Sequence, residues 1–128
     1  MNFKVFTIYF VFALVSSGAF ADQLIEQYVA VLSVRDHFNS NGVRLGDAAA
    51  IIRQDRANYH KYGIRDQGDS GDSYFSSARN RELLEQMLNR GTSSPSAINS
   101  IVNGMPTILV RIFRSDSGQD YVNVSIVE

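Results

Sequence analysis

Between Asp47 and Gly63 the apolar residues Ala48, Ile51, Ile52, Tyr59 and Tyr62 recur at the spacing of one face of a helix. Both ends carry matching punctuation. Asp47 stands as an N-cap, its carboxylate placed to accept from the unpaired amides of a first turn, and Gly63 is the stop. At about 100° per residue, Asp55 falls in the middle of the apolar face. A carboxylate taken out of water without a partner costs several kcal/mol or neutralises, so a buried Asp55 requires one.

Upstream, from Leu24 to Phe38, two periods compete. Leu24, Ile25, Tyr28, Val31 and Leu32 fit a helical stripe, whereas Tyr28 to Val34 is β-branched enough for a buried strand. This predicts a short helical entry followed by a strand near Val29 to Arg35. Asn39 to Gly42 is a turn, since asparagine and glycine tolerate the left-handed backbone. Downstream, Gly63 to Gly71 is a polar loop, and a helical region runs from Asp72 or Ser73 to Arg90. A break at Asn80 caps Arg81 to Asn89, with Leu84, Met87 and Leu88 inward and Gly91 at the end. Ser94 as N-cap and Pro95 in the first turn predict a helix over Ser96 to Asn103, closed by Gly104.

Thr107 to Arg114 and Tyr121 to Val127 are β-rich and separated by Ser115 to Asp120, the pattern of an antiparallel hairpin. Val122, Val124 and Ile126 alternate with Tyr121, Asn123 and Ser125, giving one buried and one wet face. The first strand is apolar on both faces except at Arg111, which places it centrally. The predicted class is α+β: a small antiparallel sheet, made of the C-terminal hairpin plus an N-terminal strand, packed against about three helices.

Met1 to Ala21 has the pattern of a secretory signal: Lys4 in the positive segment, Val5 to Val15 apolar, and Ala19-Phe20-Ala21 as the cleavage site. The expected domains are therefore a leader over 1–21 and one α+β domain over 22–128, about 107 of the 128 residues, near the common domain size. The expected destination is the periplasm or the exterior, with a soluble product and no membrane span after cleavage. A bacterial source fits a cysteine-free exported chain, which must be stabilised by packing and polar networks instead of disulfides. Without the leader, 11 basic residues face 13 acids, a net of −2, which argues against nonspecific nucleic-acid binding.

Ten of those basic residues are arginines against the single Lys61. Arginine's planar fork holds a carboxylate bidentately, so Arg35, Arg79 and Arg111 are the candidate partners of Asp55 in a structural polar cluster. Arg53 and Arg56 flank His60 at seven and four residues, with Asn58 and Tyr59 adjacent, and this set is the candidate binding site. Asp66, Asp69 and Asp72 offer three oxygens to a hard cation but lack the spacing of a helix-loop-helix calcium loop, so the expected state holds no metal and no cofactor. Gly68-Asp-Ser-Gly71 copies a serine-protease nucleophile motif in a chain about half the needed length, in helical surroundings, and is read as a polar loop. The expected function is binding of a protein or a small anionic ligand. The alternative is a small hydrolase using His60 or His37 with neighbouring arginines.

Overall fold

The computed structural model describes residues 21–127. The leader expected over 1–21 lies, except for Ala21, outside the described residues.

The fold is α+β, a three-stranded antiparallel sheet in the order β1-β2-β3 with the helices inserted between its first two strands. β1 is Gln23–Val31, followed by a 3-10 turn at Val34–His37 and the helix α1 at Ala48–His60. A second 3-10 turn at Tyr74–Ser76 leads into α2 (Ala78–Glu82), α3 (Leu84–Arg90) and α4 (Pro95–Asn103). β2 (Thr107–Arg114) and β3 (Asp120–Ile126) form the hairpin. β2 is the central strand.

The caps explain where the helices begin. The Asp47 carboxylate accepts from Ala50 N at 2.8 Å, and the Ser94 hydroxyl accepts from Ala97 N at 3.1 Å. Gly63 has φ 66°, the left-handed conformation that stops the chain beyond α1. Tyr62, expected on the buried face, lies past the helix end and is exposed.

Three boundaries differ from the sequence reading. There is no helical entry before β1: the strand starts at Gln23, and residues 34–37 form the 3-10 turn instead of continuing it. The cause is a bulge between Leu24 and Glu26, whose extra residue Ile25 breaks the two-residue alternation and makes a strand look helical. The cap of α2 is Ser77, not Asn80, and the break falls at Leu83.

Tyr28 and Ala30 of β1, Ile108, Val110 and Ile112 of β2, and Val122 and Val124 of β3 form the inner face of the sheet. Ile51, Ile52, Phe75, Leu84, Met87 and Ile101 close the core from the helical side. Fully burying side chains of this size stabilises by about 1.5 to 3 kcal/mol each.

Both outer edges of the sheet are covered by loops. On β1, Ser70 N donates to Val29 O at 2.9 Å, Val29 N donates to the Ser70 hydroxyl at 2.7 Å, and Val31 N donates to Asp69 Oδ1 at 2.7 Å. On β3, Val124 N donates to the Ser93 hydroxyl at 3.0 Å. Gly91 runs so close to this strand that a Cβ would stand 1.8 Å from Val122 O. Covered edges offer no template for another strand. What the sheet leaves open is its outer face.

Candidate functional site

The residues picked out along α1 separate into three environments. At the centre of the first is Arg56, fully buried, whose Nε donates to Asp55 Oδ2 at 2.8 Å and whose Nη1 donates to Asp72 Oδ1 at 2.7 Å. Its guanidinium carbon lies 4.1 Å from the Tyr28 ring centre and 4.6 Å from that of Tyr59. Stacking on two ring faces recovers part of the solvation the cation gives up. His60 Nε2 reaches the same Asp72 oxygen at 2.8 Å, and Asp72 Oδ2 accepts from Phe75 N at 2.6 Å.

Asp55 is buried as its place on the helix requires, and its cation is the next residue in sequence. Arg35, Arg79 and Arg111 are exposed. Arg56 takes this place with its guanidinium against the Tyr28 and Tyr59 rings, within hydrogen-bond reach of Asp55. Burial pushes the Asp55 carboxyl up to about 8, against the opposing pull of the Arg56 charge.

The second environment holds Asn58, whose Nδ2 donates to Asp36 Oδ1 at 2.9 Å while its own Oδ1 accepts from Gln54 Nε2 at 2.9 Å. Asp36 also accepts from Ser33 N at 2.9 Å. Burial raises its pKa as well. His37 sits beside this group with Nδ1 2.7 Å from Ser33 O and Nε2 2.9 Å from Ile101 O, pinning the 3-10 turn to α4. His37 and His60 thus stand in separate networks, each held by its own partners.

The aspartate-rich loop is tied inward. Asp69 Oδ2 accepts from Asp66 N at 2.8 Å while its Oδ1 holds β1, and both Asp72 oxygens are engaged. Among the described residues no three His, Cys, Asp or Glu side chains group as metal ligands. Ser70 of the protease-like tetrad is bonded to the backbone of β1.

The third environment is solvent. Arg53, the remaining member of the α1 set, is exposed and faces a cleft toward α2 instead of the Arg56 cluster. The five candidate residues therefore do not converge on one site.

A surface the α1 motif did not suggest lies on the outer face of the sheet. The strand register arranges it in rows across the three strands. Val29, Leu109 and Ser125 form one row, Gln27, Arg111 and Asn123 the next, and Leu24, Phe113 and Tyr121 a third. Phe113 and Tyr121 stack with ring centres 5.3 Å apart. Leu24 at 51%, Ile25 at 38% and Val127 at 40% are exposed, far from the burial typical of aliphatic side chains. Arg111 stands in the middle, outside the four ion pairs among the described residues. The alternation Thr107, Leu109, Arg111, Phe113 carried this signal in the sequence.

Compared with family models, curated proteins and solved structures, the chain finds no match. Among the described residues no helix is long and apolar enough to cross a membrane.

Proposed function

We propose that this is an exported protein that acts by binding, and that a protein partner docks on the outer face of the sheet. The observation that carries the reading is the banded composition of that face: Val29 and Leu109 on one side of Gln27, Arg111 and Asn123, and Leu24, Phe113 and Tyr121 on the other. An antiparallel sheet with one free face ordinarily makes that face polar, and apolar side chains on both sides of a charged row are the pattern of an interface. Export rests on the leader pattern of residues 1–21.

The charge selects the partner. Two copies packed face to face would bring one Arg111 against the other, a like-charge contact that costs free energy once water is excluded. The fitting partner presents a carboxylate ringed by apolar side chains, which Arg111 receives as a charge-assisted pair. A photo-crosslinking residue in place of Leu109 should trap this partner in the producing cells. Arg111→Glu should abolish the adduct, and exchanging the contacted acid of the partner for lysine should restore it. An adduct indifferent to the charge at position 111 would remove this reading.

A further inference from the structure

We infer that the cleft between α1 and α2 is a binding site for an oxyanion of the phosphate class. Its walls are Arg53, Gln54 and Ala57 of α1 with Lys61, the residue that caps it, and Ala78, Arg81 and Glu82 of α2. Ser40 and Tyr62 also line it, and the space is about 250 Å3. Ala57 and Ala78 keep it open, because larger side chains at those two positions would fill it.

The observation that points to a ligand is Arg81. It is only 9% exposed, yet among the described residues no carboxylate pairs with it. Its Nη1 donates to Phe75 O at 2.9 Å and Ser76 O at 3.2 Å, which fixes the guanidinium in place without neutralising it. A buried cation with no counterion is expensive, and an anion in the adjoining cleft offsets that cost. Arg53 and Lys61 bring two further cations to the same space, also outside every ion pair among the described residues. Glu82 is the one acid on the walls, so the cleft carries a formal excess of two positive charges. Three cations around one small volume suit a multiply charged tetrahedral group better than a single carboxylate. The site is separate from the outer sheet face and does not depend on what docks there.

The test is titration of the purified protein with sodium pyrophosphate, read by melting temperature and by phosphorus NMR linewidth, against sodium chloride at equal ionic strength. A saturable rise in melting temperature is expected, since a ligand that binds only the folded state stabilises it. Arg53→Ala with Lys61→Ala, both exposed and outside the core, should weaken binding roughly tenfold or more, as loss of two charge-assisted hydrogen bonds implies. Ala57→Leu should block the site by filling it. A parallel arm uses phosphatidylcholine vesicles with and without phosphatidic acid. Sedimentation with the acidic vesicles, lost in the same variants, would identify the ligand as a lipid phosphate, and binding of pyrophosphate alone a free one. No shift beyond the chloride control in either arm, or a shift that survives both sets of substitutions, would overturn the inference.

Discussion

Arg56 and Arg111 lie on opposite sides of the sheet and meet opposite fates. Arg56 is stacked on Tyr28 of the inner face and bonded to Asp55 and Asp72, so its charge is used within the chain. Arg111 stands on the outer face between Gln27 and Asn123, outside every ion pair among the described residues. The difference teaches that residue type does not decide whether an arginine is structural or available. Its neighbours do: two carboxylates and two rings confine the first, and apolar side chains of the neighbouring rows flank the second.

The largest effect that would break this comparison is on stability. Arg56→Ala removes the cation of the buried Asp72 carboxylate and the donor to Asp55, and breaking a buried pair costs about 3 to 5 kcal/mol, a large part of the roughly 5 to 15 kcal/mol of a whole domain. Urea denaturation should show Arg56→Ala unfolded or severely destabilised. Similar losses for Arg56→Ala and Arg111→Ala would mean that the two arginines do the same work.

A smaller effect is expected on the pH dependence of stability. The Asp55 carboxyl is raised by burial to about 8 in the fold, against about 4 for an unfolded chain. The folded state therefore holds the proton more tightly. The stability this provides is fully present below about pH 4 and is lost as pH rises toward 8. Asp36, also raised by burial, acts in the same direction. Asp120 is lowered by its bond to Arg114 and acts in the opposite sense, but Arg114 is exposed and solvent weakens that term. The melting temperature should fall between pH 5 and pH 8, and Asp55→Asn should flatten the decline. An undiminished slope in Asp55→Asn would assign the dependence to other groups.

The smallest effect sharpens the contrast from the other side. Arg111→Glu should shift the unfolding free energy by less than about 1 kcal/mol, as exposed substitutions do. Circular dichroism and a denaturation midpoint check this. A large loss would show Arg111 to be part of the framework, and the outer face would lose its claim as an interface.

Much of the fold was legible because its signals are local. The Asp47 and Ser94 caps and the alternation Val122, Val124, Ile126 each depend on residues within a few positions of one another. The start of β1 was not legible, since the bulge at Ile25 scrambled the only period available there. The burial of Asp55 followed from its place among Ile51, Ile52 and Tyr59, but its partner did not. Adjacent residues on a helix point about 100° apart, so spacing rules pass over a neighbour whose long stem curls back. Likewise, Arg53, Arg56, Asn58 and His60 crowd together in sequence while α1 sends them toward different surroundings. The cleft was missed because Arg81 reaches it from another helix, a juxtaposition that no local pattern encodes.

The placement of β1 has a kinetic consequence. Its sheet neighbour is β2, and even the closest register pair, Val31 with Thr107, lies 76 residues apart along the chain. Helix hydrogen bonds close over four residues, whereas sheet closure must wait for the hairpin and carries the loop-closure entropy. Refolding should accordingly be limited by the joining of β1 to β2. Until that step Tyr28 and Ala30 have no sheet to join, and Gln27, Arg111 and Asn123 do not yet form a row. The outer face is thus assembled last, so that binding through it would report a completed fold.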